Sequence, residues 1–135
     1  MNAEFFLGVD VGTGSARAGI FDAAGHMLGA ASEPLELFRP AEDFAEQSSE
    51  NIWAACGVAV RAALTQASLR ADQIAGLAFD ATCSLVALDA GDEPVSVSPT
   101  GRAEQNVIVW LDHRAIAEAD EINRTGHEVL KYVGG

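Results

Sequence analysis

The feature that most restricts how this chain folds is a four-residue turn, Gly12-Thr13-Gly14-Ser15, set between two strand-like stretches. Phe5-Phe6-Leu7-Gly8-Val9-Asp10 has the length and apolar density of a buried strand ending in a carboxylate, and residues 16–22 read as a second strand. The turn therefore closes a hairpin. A dinucleotide-binding α/β unit would place a helix directly after its first glycine-rich turn, so that architecture is excluded.

The chain continues with a short turn at Ala23-Ala24-Gly25 and a third strand over residues 26–37, broken towards its end by Pro34. Three antiparallel strands are thus predicted to open the domain. Ser48 or Ser49 is placed to cap a helix with Ile52, Trp53, Cys56, Val60, Ala63, Leu64 and Ala67 on its apolar side, at spacings of three and four. Residues 74–79 read as a buried strand, 85–88 and 107–111 as two more, 115–124 as a short helix ended near Gly126, and 127–133 as the start of another. Meander, helix, strands and helix describe an α/β unit with a mixed sheet.

At 135 residues and 49% hydrophobic, the chain can bury one core but not two. Its longest apolar runs have strand length, far short of the roughly 18 residues of a membrane span. The start, Met1-Asn2-Ala3-Glu4, lacks the basic region of a secretory signal, which makes the cytoplasm the default location. A formal charge of −12 without a Lys/Arg cluster disfavours nucleic acid and anionic membrane as partners. The acids gather over residues 33–50 and 118–128 and read as solvated faces with no chemistry. Cys56 and Cys83 have no paired spacing and read as buried free thiols.

A negative chain that binds a polyanion needs local dipoles, a few basic groups or a metal. Asp10-Val11-Gly12-Thr13-Gly14-Ser15-Ala16-Arg17 supplies such parts. The glycines let the main chain approach phosphate oxygens, Thr13 and Ser15 add hydroxyl donors, and Arg17 brings a positive charge. Asp10 repels phosphate unless a cation lies between them, so its use is to hold Mg²⁺, directly or through water. The bland alternative is a plain glycine hairpin with an Asp ending its strand.

The stretch from Gly8 to Asp22 resembles the first phosphate motif of the FGGY carbohydrate kinases, relatives of actin, hexokinase and the heat-shock chaperone ATPases. Ile74-Ala75-Gly76-Leu77-Ala78-Phe79-Asp80-Ala81-Thr82-Cys83-Ser84-Leu85-Val86-Ala87-Leu88-Asp89 and Asn106-Val107-Ile108-Val109-Trp110-Leu111-Asp112-His113-Arg114-Ala115 are similar to the family's two sugar-facing segments, in order. The resemblance implies a ribonuclease H-like, actin-like ATPase superfold, present here as part of a domain. It implies ATP and Mg²⁺ as cofactors and a small sugar as partner. A homodimer of a longer parent is compatible with it.

Asp80-Ala81-Thr82-Cys83-Ser84 replaces the Arg-Glu pair of glycerol kinases and the Met-His pair of xylulose kinases, and resembles D-ribulokinase-type members, which implies a pentulose. The resemblance carries sugar binding onto Asp80, Ala81, Thr82, Cys83, Trp110, Asp112 and Arg114. It implies that the aspartate base lies beyond Gly135, so that these residues alone lack turnover. Other readings stand beside these. Trp110 can fill the core, Asp112 can cap the helix near Ala115, Arg114 can pair with Glu118, His113 suits a surface or helix start, and Cys83 can be a plain core thiol. A non-catalytic phosphate-binding module and a xylulose or glycerol kinase are the alternatives for the whole.

Overall fold

The computed structural model describes residues 4–133. The reading of the chain start therefore lies mostly outside the described residues, as do Gly134 and Gly135. The hairpin forms from β1 (Phe5–Val11) and β2 (Ser15–Asp22), in antiparallel register with Val9 opposite Ala18 and Asp10 opposite Arg17. β3 (Met27–Pro34) completes the meander. β4 (Glu46–Gln47), α1 (Ser49–Ala67) and a 3-10 turn (Ala71–Gln73) lead to β5 (Ile74–Ala81), which pairs with β1 in parallel. The first sheet thus has the order β3-β2-β1-β5 and is mixed. β6 (Leu85–Val86) and β7 (Val107–Ile108) join β4 in a second, antiparallel sheet, β4-β7-β6, before α2 (Ile116–Arg124) and α3 (Leu130–Val133).

Alternation of side chains along the strands builds the core. Leu7, Val9 and Val11 from β1 and Ala16, Ala18 and Ile20 from β2 are buried with Ala55, Cys56, Ala59 and Ala63 of α1. Small residues let the helix lie close to the sheet. A Cβ on Gly29 of β3 would stand 2.6 Å from the Ala63 carbonyl oxygen, so only glycine fits there. Ser48 caps α1 by accepting from the Asn51 N–H at 3.2 Å, and Ser68 closes it in the left-handed region at φ 55°. The predicted cap and helix are both present.

Several expectations are corrected. Trp53 is 73% exposed, because α1 turns its small residues and not this ring toward the sheet. The strand over residues 74–79 forms but is not buried. Leu77 and Phe79 are 56% and 51% exposed, since α1 packs over β2 and β3 and leaves the outer side of β5 bare. Cys56 is buried, whereas Cys83 is exposed on the loop after β5. The strand over 107–111 shortens to Val107–Ile108, with one more main-chain bond from Val109 to Ala45, because the Asp112 N–H bonds back to the Val109 carbonyl and turns the chain. Glu46, read among solvated acids, is fully buried. Among the described residues, no helix is long and apolar enough to cross a membrane.

Candidate phosphate and sugar site

The turn between β1 and β2 is tied from beneath. The Gly12 N–H bonds to the Ser15 carbonyl at 3.0 Å and closes the loop, while the Leu35 N–H donates to the Gly14 carbonyl at 3.0 Å. Gln47 Nε2 donates to the Thr13 carbonyl at 2.8 Å. In a planar trans peptide the carbonyl and the following N–H point in opposite directions. Anchoring the Thr13 carbonyl inward on Gln47 therefore aims the Gly14 N–H outward, where it finds no acceptor among the described residues. A Cβ on Gly14 would meet nothing within 4 Å, which leaves open space above the main chain there. These are the properties of a phosphate cradle.

Asp10 and Arg17 face each other across the hairpin, with Arg17 Nη2 at 2.8 Å from Asp10 Oδ2. Both side chains are about half exposed, so the pair adds little stability and its partners are free to exchange for a ligand. On the other side Asp10 stands in register with Asp80 of β5. Arg17, Asp10 and Asp80 thus form a row across three strands, opening on a cavity of about 430 Å³ also lined by Gly8, Gly19 and Phe21. Among the described residues no group of three or more His, Cys, Asp or Glu is placed to hold a metal. A single carboxylate beside a phosphate cradle is nevertheless a donor set that suits Mg²⁺, which takes most of its remaining ligands from phosphate and water.

The two later segments reach the same end of the sheet. The Thr82 N–H bonds to the Val11 carbonyl at 3.0 Å and extends the β5 pairing to the edge of the turn. Thr82 Oγ1 and Ser84 Oγ lie 3.3 Å apart, and Ala81 and Cys83 are exposed beside them. Trp110, 59% exposed, donates from Nε1 to Thr13 Oγ1 at 2.9 Å, so it does not fill the core. This contact joins residues 97 positions apart.

Asp112 and Arg114 lie beneath this mouth and not in it. The Arg114 guanidinium holds Asp112 with two bonds, Nε to Oδ1 at 2.8 Å and Nη2 to Oδ2 at 2.7 Å, and reaches Glu46 Oε1 at 2.7 Å and the Val97 carbonyl at 2.8 Å. It stacks 4.0 Å from the Phe44 ring centre. Burial pushes the Asp112 carboxyl up, but the Arg114 side chain and the Ala45 and Arg114 N–H groups outweigh it and hold the group at about 2. The Asp112 and Glu46 carboxylates in turn raise the Arg114 pKa. Glu46 Oε2 has no partner among the described residues, so Arg114 is its principal compensation.

Asp112 therefore does not cap α2, whose N-cap Ala115 makes no side-chain bond, and Arg114 does not pair with Glu118. His113 is exposed and contributes its N–H to the Asp43 carbonyl at 2.8 Å. Sequence reasoning missed Glu46, Gln47 and the buried Asn106, which bonds Ser49 and the Ala87 carbonyl. No local signal marks them, since each is defined by a partner far along the chain.

A mixed sheet that opens with a meander, carries an exposed glycine turn at its end and folds two distant segments onto that turn matches the actin-like ATPase fold of solved sugar kinases. The sequence profile of the FGGY family of carbohydrate kinases, N-terminal domain, matches residues 5–133. The chain belongs to this family. It is 49% identical over 132 residues to an FGGY carbohydrate kinase domain-containing protein of Homo sapiens, covering 98% of this chain and 24% of that protein. It is 44% identical over 135 residues to a D-ribulokinase of Saccharomyces cerevisiae, covering 98% of this chain and 19% of that protein. The crystal structure of a xyloylose kinase from Brucella ovis superposes with a TM-score of 0.75 at 27% identity, over 90% of this chain and 24% of that one. The chain thus spans about a fifth to a quarter of the length of the relatives it matches.

Proposed function

We propose that this chain is the amino-terminal portion of an ATP-dependent pentulose kinase acting on a D-ribulose-like sugar, and that it supplies the phosphate turn and the sugar-facing segments. The observation that carries the reading is convergence. The Gly12–Thr13–Gly14–Ser15 turn, the Thr82 loop and Trp110 meet at one end of the sheet, joined by the Thr82 N–H to Val11 and the Trp110 Nε1–H to Thr13. Likeness to a D-ribulokinase favours ribulose over the xylulose and glycerol alternatives.

In the complete enzyme the turn would grip the ATP phosphates through the Gly14 N–H, the Thr13 and Ser15 hydroxyls and Arg17. Asp10 would hold Mg²⁺, directly or through water, and the metal would neutralise charge on the transferred phosphoryl group. Asp80, Ala81, Thr82, Cys83 and Trp110 would line the sugar, with Asp112 and Arg114 bordering that cleft from below as its foundation. The base that takes the sugar hydroxyl proton would come from outside these residues, so this chain alone would lack turnover. A cytoplasmic location accords with this role.

Calorimetric titration of the full-length kinase with Mg-ATP tests the assignment. Arg17→Ala and Asp10→Asn are each expected to weaken nucleotide binding roughly tenfold or more, the effect of removing a charge-assisted contact. Unchanged affinity in both variants contradicts it.

A further inference from the structure

We infer that Trp110 is a positioning residue for phosphoryl transfer, acting by orienting the hydroxyl of Thr13, and is more than a wall of the sugar cleft. The inference rests on the kinase reading above. Thr13 is held at two points: Gln47 Nε2 fixes its carbonyl at 2.8 Å, and Trp110 Nε1 donates to its Oγ1 at 2.9 Å. Indole nitrogen is a donor only, so the hydroxyl must accept in this bond and its own hydrogen is directed elsewhere. The bond to Trp110 turns that hydrogen away from the indole and leaves it free for a ligand beside the Gly14 N–H, which finds no acceptor among the described residues. A phosphate oxygen placed there receives two donors already aimed at it, which is how a site stabilises developing charge without reorganising.

The two anchors share one source. Gln47 and Glu46 are consecutive buried residues of β4, and alternation along a strand sends their side chains in opposite directions. Gln47 takes the phosphate turn, while Glu46 takes Arg114, four residues after Trp110. The Ala45 carbonyl accepts the Val109 N–H at 2.9 Å and the Ala45 N–H donates to Asp112 Oδ2 at 2.7 Å, bracketing Trp110 on both sides. The main chain around Trp110 is therefore fixed by the segment that fixes Thr13, although the indole ring itself is largely exposed.

The test uses the full-length kinase with Trp110→Phe, which keeps an aromatic ring and loses the N–H, Thr13→Val, which loses the hydroxyl, and the double variant. Trp110→Phe is expected to lower kcat roughly tenfold while the sugar KM stays within about twofold. In the Thr13→Val background the same change is expected to cost nothing further, and Thr13→Ser to restore most of the rate. In a spectrum of the indole N–H protons, Thr13→Val should move the Trp110 resonance and leave that of the exposed Trp53 in place. Additive losses, a Trp110→Phe effect confined to the sugar KM, or an unmoved Trp110 resonance each overturn the inference alone. An unsubstituted enzyme that phosphorylates no pentulose overturns the kinase reading and this inference with it.

Discussion

Arg114 Nη2 lies 2.7 Å from Glu46 Oε1, joining residues 68 positions apart in a pair whose carboxylate is fully buried. With Asp112 it forms a three-residue clamp that ties the end of β4 to the segment carrying Trp110. A buried carboxylate stripped of its cation is costly, because the lost attraction is not replaced by water. Arg114→Met should therefore destabilise the fold by about 3–5 kcal/mol, read as a fall in the urea midpoint. A loss below about 1 kcal/mol would place the clamp among ordinary surface pairs.

The clamp also sets a pH dependence. Asp112 is held at about 2, below the ordinary 3.8, so the folded chain binds this proton more weakly than the unfolded chain does. Its contribution is complete above the ordinary value and disappears as pH falls through about 2. Urea midpoints of the unsubstituted protein and Asp112→Asn should differ at neutral pH and converge between pH of about 4 and 2. A difference that stays constant over that window would show that Asp112 acts without its charge.

How much of this was legible in the sequence depends on the range of each interaction. The hairpin, its turn, a cap at Ser48 or Ser49 and the presence of a strand after α1 are written in local patterns of apolar, glycine and hydroxyl residues, whereas the parallel pairing of that strand with β1 is not. Glu46 was not legible. It sits among Glu42, Asp43 and Glu50 as one more acid, and only Arg114, far along the chain, marks it as buried. The same holds for Trp110, whose polar end is explained by Thr13, and for Asp112, whose position before a helix suggests a cap that Arg114 and Ala45 pre-empt. Trp53 misled for another reason: its helical spacing fits the apolar face, yet α1 packs through alanine and leaves no room for an indole.

Two glycines should respond in opposite ways. Gly29→Ala drives a Cβ to 2.6 Å from the Ala63 carbonyl oxygen and 2.8 Å from the Ala67 nitrogen, both main-chain atoms that cannot yield singly. A loss of about 1–3 kcal/mol is expected from such overpacking. Gly14→Ala meets nothing within 4 Å and should leave thermal stability nearly unchanged. Its methyl group would stand in the space proposed for phosphate, so Mg-ATP affinity of the full-length protein should fall. Thermal melts paired with nucleotide titration separate the two effects, and a destabilised Gly14→Ala with normal affinity would contradict the assignment.

The bare side of β5 makes a further prediction for the isolated chain. Leu77 and Phe79 are more than half exposed on an edge strand of the described sheet. An apolar, unpaired edge is a template for another chain. Sedimentation of residues 1–135 should show self-association that Phe79→Lys reduces. A monomer at all accessible concentrations would mean that this edge is protected.

The proposed union of the glycine turn, the Thr82 loop and Trp110 into one phosphate-and-sugar site of a pentulose kinase bears most directly on substrate choice. Its most direct test is the rate of ATP-dependent phosphorylation by the full-length protein with D-ribulose, xylulose and glycerol, compared as kcat/KM. The highest value is expected for D-ribulose, with residues 1–135 alone inactive. Preference for glycerol or xylulose, no transfer to any of the three, or turnover by the isolated chain would contradict it.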